Sequence, residues 1–237
     1  MRLRIVLFVV IAAIGISIAG FINMAHFSED PEAGSNRSEN NRLRIYSPAD
    51  VNPMLVDPTL QDKSSDHTIG DFAFLNQLGD TITKQDIQGK IVVVDYFFTT
   101  CGGICPKMST QLQRVQKEFR DDSSFRILSH TVNPSVDTVE TLYRYANRFE
   151  ADSSMWWFLT GSKKELYTMA RKSYLIVPDE ADPNFEHGGE SDFLHTENFA
   201  LIDPDGRIRG FYDGTNPEEI NELFRDVYDL KKEYELD

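Results

Sequence analysis

The only two cysteines of this 237-residue chain, Cys101 and Cys105, lie four positions apart in the run Val-Asp-Tyr-Phe-Phe-Thr-Thr-Cys-Gly-Gly-Ile-Cys-Pro. Cysteine as thiolate is both a nucleophile for disulfide exchange and a soft metal ligand. The residues around the pair favour that state. An apolar run, Ile91 to Phe98, reads as a strand leading into the cysteine loop, and Pro106 reads as the first position of a helix. Both sulfurs then sit at a helix N-terminus, where the partial positive charge of the backbone favours a thiolate. Two cysteines cannot staple a chain of this size, so a close pair points to chemistry rather than to a disulfide scaffold.

Three residues separate the sulfurs, against two in the common Cys-x-x-Cys redox loop. A disulfide can close across this spacing, and two thiolates can also converge on one small cation that takes a third ligand from elsewhere. His195, in Asp-Phe-Leu-His-Thr-Glu-Asn-Phe just before a predicted strand at 198–202, is the best candidate. Two thiolates and an imidazole form a soft three-coordinate set suited to copper, as Cu(I) or Cu(II). Zinc prefers four ligands, and there is no third cysteine. Of the other histidines, His130 falls inside a predicted strand and reads as a packed side chain, and His187 lies in a polar stretch. His26 and His67 carry no assigned role. Asp95, six residues before Cys101 in an otherwise apolar strand, must be hydrogen-bonded or have a raised pKa. It reads first as a structural hydrogen-bonding group and second as a proton acceptor for thiol exchange. Met108 belongs to an apolar helical stripe and reads as core.

The elements that must position these residues follow from periodicity and caps. A hairpin is expected within 72–83, then the 91–98 strand, and a helix over 106–119 with Met108, Leu112, Val115 and Phe119 on one face. A strand at 125–132 follows, then a helix through Phe149 opened by an Asp137/Glu140 capping box. Next come a strand at 155–160 and a helix from Ser162 to about Tyr174. A short strand is expected at 175–177. Asp203-Pro-Asp-Gly turns a hairpin between strands at 198–202 and 208–212, and Asn216-Pro217 opens a last helix to about Tyr234. Strand and helix alternate, then a hairpin and a helix close the chain. That order predicts an α/β domain with a central mixed sheet flanked by helices, similar to the thioredoxin fold, with an N-terminal hairpin extension.

Arg2 and Arg4 precede an uncharged apolar run, Ile5 to Ile22, at the short end of what spans a bilayer. Basic residues before the span predict a cytoplasmic N-terminus and an exported body. Ser17-Ile18-Ala19 offers a competing cleavage site, but the apolar run continues past it, so an uncleaved anchor is the preferred reading. No cysteine follows the run to carry a lipid. The expected organisation is an anchor at 1–22, a polar tether and irregular segment at 23–62, and one domain at 63–237. The soluble part would lie on the extracytoplasmic, periplasmic side of the cell membrane, where thiols meet oxidising conditions. With 24 basic against 38 acidic side chains, a net charge of −14, no basic stripe is available to neutralise phosphates, which excludes a nucleic-acid partner.

On these residues the chain resembles the Sco (SenC/PrrC) family of membrane-tethered, thioredoxin-fold copper proteins. The likeness runs from Phe72 through Gly89-Lys90-Ile91 and Phe97-Phe98-Thr99 to Cys101-Gly-Gly-Ile-Cys105-Pro106. It resumes at Thr131-Val132-Asn133-Pro134 with Asp137-Thr138, at His195-Thr196, and at Ile202-Asp203-Pro204-Asp205-Gly206. The resemblance implies copper held by Cys101, Cys105 and His195. It also implies delivery of copper to, or reduction of the cysteines of, the dinuclear copper centre of cytochrome c oxidase subunit II. Gly102 and Leu194 stand where many members carry Pro and Asp. A second reading stays open: a thiol–disulfide oxidoreductase or redox sensor in which Cys101 attacks and Cys105 resolves. A peroxiredoxin-like peroxidase lacks its Thr-x-x-Cys, since Phe98 stands three before Cys101.

Overall fold

A computed structural model describes residues 36–38, 42–51, 60, 67–176 and 196–236. The apolar run at 5–22 lies outside the described residues, and among those described no helix is long and apolar enough to cross a membrane.

Five strands form the central sheet: β3 (Ile91–Phe97), β4 (Phe125–Thr131), β5 (Trp156–Leu159), β6 (Asn198–Ile202) and β7 (Ile208–Asp213), in the order β5-β4-β3-β6-β7. β3 pairs in parallel with β4, and β4 with β5, whereas β6 and β7 run antiparallel, so the sheet is mixed as expected. β3 occupies the centre and every one of its residues is buried. Its apolar run, interrupted only by Asp95 and not alternating, is what a strand covered on both faces requires.

The two faces are covered differently. Ile91, Val93 and Phe97 of β3 point into a core shared with α1 (Ile104–Glu118), α2 (Val139–Arg148) and α4 (Pro217–Glu233). That core includes Met108, Leu112 and Val115, the stripe expected of the first helix. Val92, Val94 and Tyr96 point the other way. They pack against the small hairpin β1 (Ala73–Leu75)/β2 (Thr81–Thr83) and against α3 (Lys163–Thr168), which runs on into a π-helical turn at Met169–Ser173. The hairpin is fastened to edge strand β5 by Gln77, whose side chain donates to the Trp156 carbonyl at 2.8 Å and accepts from the Phe158 amide at 2.9 Å. One buried amide thus supplies the backbone partners that an edge strand lacks.

Three expectations are corrected. The first helix opens at Ile104, two residues before Pro106; proline fits its first turn because amides there have no intrahelical acceptor. Thr138, not Asp137, caps α2, accepting from the Thr141 amide, and Asp137 turns inward instead. No strand forms at 175–176, where Leu175 takes φ +54° after the π-helical turn, and residue 177 lies outside the described residues.

The far end of β6 is held by charge. Arg209, 1% exposed, donates to Asp203 and Glu233 and to the carbonyls of Leu43 and Arg44, joining β7, α4 and the 43–44 segment. Removing one partner of such a buried cluster leaves uncompensated charge. Arg209→Met should therefore lower unfolding stability by about 3 kcal/mol in urea denaturation; an unchanged midpoint would contradict this role.

Candidate metal and redox centre

β3 ends at the C-terminal edge of the parallel strands, and the cysteine loop leaves from there. β6 runs antiparallel to β3, with Ile202 opposite Val92 and Ala200 opposite Val94, so its first residues lie at that same edge. Thr196, buried, accepts from the Asn198 amide at the mouth of β6. His195 itself lies outside the described residues, as do His187 and His26. Among the described residues no group of three His, Cys, Asp or Glu side chains is placed to hold a metal.

Cys101 and Cys105 are both free thiols brought together at the start of α1, the first half-buried and the second buried. Their environments pull them apart. Burial pushes the Cys101 thiol up, but donors outweigh it: the Cys105 thiol and the amides of Cys105, Gly103 and Ile104 hold its pKa below the ordinary value. Those amides are the unpaired donors of the first helical turn. Cys105 goes the other way. Burial first, then its bond to Cys101, then the charges of Cys101 and Asp95, push it up to about 12, against the lowering effect of the Phe98 amide. One helix mouth thus shifts its two sulfurs in opposite directions, Cys101 down and Cys105 up. Among the described residues, a Cβ added at Gly102 or Gly103 would meet no heavy atom within 4 Å.

Beneath the pair, Asp95 is buried on the cysteine-side face of β3. It accepts from the Ser129 hydroxyl, which in turn accepts from the Trp156 indole at 2.9 Å. Burial raises the Asp95 carboxyl to about 7, with Ser129 acting against the rise. Both sequence readings of Asp95, structural and proton-accepting, are compatible with this position.

The remaining histidines are accounted for as packing groups. His130 is fully buried on the opposite face of the sheet, stacked on Tyr96 at 5.0 Å and edge-on to Phe74 at 5.7 Å. Burial lowers its pKa to about 3, so it stays neutral. His67 Nε2 meets the Ser173 carbonyl at 2.8 Å. Met108 lies in the core. Sequence reasoning missed Asp137, whose fully buried carboxylate accepts from the Thr99 amide and hydroxyl and from the Thr131 hydroxyl. The signal was present in Thr138, a competent cap directly after it, which leaves Asp137 free for another task.

With this geometry in hand, the comparisons decide the family. A family model described as SCO1/SenC matches residues 60–230. The chain belongs to the SCO1/SenC family. The SCO1 protein homolog of Bacillus subtilis is 29% identical over 158 residues, covering 66% of this chain and 79% of that relative. The mitochondrial SCO2 homolog of Bos taurus is also 29% identical, and the match spans 58% of its longer chain. Among solved structures, BsSco, described as a member of the Sco family of cytochrome c oxidase assembly proteins with a disulfide switch, is 27% identical with TM-score 0.58. That match covers 70% of this chain and 95% of BsSco. ScoI of Bradyrhizobium japonicum, solved with copper bound, shares the fold at 22% identity and TM-score 0.53, over 70% of this chain and 98% of its own. The mixed sheet with flanking helices is therefore the SCO1/SenC arrangement.

Two predictions test the electrostatics. Cys105→Ala removes an influence that lowers the Cys101 pKa, so the midpoint of Cys101 alkylation by iodoacetamide should rise towards an ordinary thiol's; an unchanged midpoint would contradict that influence. Asp95 has a folded-state pKa above its unfolded value, so its stabilising contribution is complete below about 4 and is lost as pH rises through about 7. Asp95→Asn should flatten the stability-versus-pH curve across that window, read as urea midpoints. A slope equal to the wild type's would contradict the assignment.

Proposed function

We propose that this chain is a membrane-anchored copper metallochaperone. Cys101, Cys105 and His195 hold copper, as Cu(I) or Cu(II), for delivery to the dinuclear copper centre of cytochrome c oxidase subunit II, and the same dithiol can reduce the cysteines of that client. Residues 1–22 are the anchor and 23–62 the tether. The domain at 63–237 carries the site on the extracytoplasmic, periplasmic side of the cell membrane.

The observation that carries the reading is the cysteine pair at the mouth of α1: a half-buried thiol of lowered pKa and a buried one of raised pKa. A soft cation can replace the protons of the two sulfurs, and an imidazole completes a set that copper favours over zinc. β6, which opens at the same edge of the sheet, follows His195 by three residues. Family membership and the description of a relative as an oxidase assembly protein support the choice of client. The Cys105 thiol must lose its proton on metallation, so uptake should be proton-coupled and weaken as pH falls. An incoming pair of client thiolates would displace Cys101 first, because it is the less buried of the two sulfurs.

A second reading has its own support: the same pKa split suits thiol exchange, and BsSco is described as carrying a disulfide switch. Here the Cys101 thiolate attacks a client disulfide and one client sulfur leaves as a thiolate. Cys105 then gives up its proton and displaces the second, which leaves a Cys101–Cys105 disulfide and a reduced client.

Titration of the reduced full chain in detergent with copper separates the two. The wild type should form a stoichiometric complex with thiolate-to-copper absorption, and His195→Ala should lose it while keeping disulfide exchange. Equal copper uptake by both proteins would reject the ligand set. An absence of copper binding beside rapid exchange would favour the oxidoreductase.

A further inference from the structure

Thr99 and Phe98 share one peptide plane. Its carbonyl end, on Phe98, accepts the Cys101 amide at 3.2 Å. Its amide end, on Thr99, donates to Asp137 Oδ2 at 3.2 Å. In a trans peptide these two groups point in opposite directions, so fixing one end aims the other. The Phe98 amide also acts on Cys105, lowering its pKa. The backbone about Phe98 thus bears on both cysteines, and Asp137 grips the plane whose carbonyl holds the Cys101 amide.

Asp137 is itself held. Its carboxylate accepts from the hydroxyls of Thr99 and Thr131, and its amide donates to the Asn133 carbonyl at 2.9 Å. Thr131 closes β4 opposite Phe97, the last residue of β3, and the Val132 amide donates to the Phe97 carbonyl at 2.8 Å. The carboxylate is fully buried, and all of its donors among the described residues are neutral. A buried carboxylate gathering hydrogen bonds from the ends of two adjacent strands is a costly way to end a sheet unless the loop it grips must be held still.

We propose that Asp137 is a positioning residue of the dithiol: acting through Thr99, it locks the Phe98–Thr99 peptide and thereby sets the effective concentration of one sulfur beside the other. This deepens the proposed function and rests on the dithiol being its working part, but it needs no copper. The relevant equilibrium is dithiol plus oxidised glutathione giving the Cys101–Cys105 disulfide and two reduced glutathiones, in which two electrons and two protons pass to glutathione.

The test is that equilibrium constant, measured on the full chain in detergent, alongside the melting temperature. Asp137→Ala should shift it towards the dithiol about tenfold, which corresponds to about 30 mV. Asp137→Asn removes the charge yet keeps a carbonyl acceptor for the Thr99 amide, and should recover most of the wild-type value. Thr99→Val leaves every charge in place and should shift the equilibrium in the same direction as Asp137→Ala, while Thr99→Ser stays at the wild-type value. If Asp137→Ala fails to fold, the Thr99 pair decides the matter. Lower melting temperatures with unchanged equilibria would overturn the proposal in favour of a purely structural role. So would Asp137→Asn shifting as far as Asp137→Ala, which would assign the effect to charge. Failure of the copper reading would appear as no metal uptake by any variant and would leave this metal-free equilibrium as it is.

Discussion

The placement of Cys101 and Cys105 together at the mouth of α1, one half-buried and one buried, is the constraint on which the rest of this site depends. It exists because the chain leaves a buried strand, turns through two glycines and enters a helix within seven residues, which puts both sulfurs beside the amides of one helical turn. Those amides lower the Cys101 pKa, and burial raises that of Cys105. A pair in which one sulfur loses its proton more easily than the other is suited to either of two events, binding of a soft cation or loss of electrons to a disulfide.

Everything around the pair restrains it. Below, Asp95 and Ser129 place a carboxyl of raised pKa in the central strand. Beside it, Asp137 ties the loop to the end of β4. At the far edge, Gln77 fastens the hairpin to β5, and on the other side Arg209 fixes the hairpin turn that follows β6. None of these groups faces solvent freely, so each polar side chain has to be satisfied inside the protein, and each therefore constrains geometry as well as energy.

Much of this was legible beforehand, for physical reasons that differ from one element to another. β3 announced itself by the apolar run from Ile91 to Phe98, the stripe of Met108, Leu112 and Val115 by helical spacing, and the β6–β7 turn by Asp-Pro-Asp-Gly. The loop chemistry was legible because two cysteines and a proline in the first turn leave few alternatives. What escaped was set by tertiary context. Asp137 looked like a cap because a capping box is a local pattern, whereas its partners Thr99 and Thr131 come from the ends of two strands. The split between the two thiols escaped as well, since helix position alone treats both alike, whereas burial and the particular amides and charges near each sulfur separate them. The π-helical turn before Leu175 has no sequence signature of its own.

X-ray absorption at the copper edge, on the reduced full chain loaded with one equivalent of Cu(I), tests the central claim most directly. Two sulfur scatterers and one imidazole nitrogen around the metal are the result this account predicts. A first shell with a single sulfur, or with none, would contradict it.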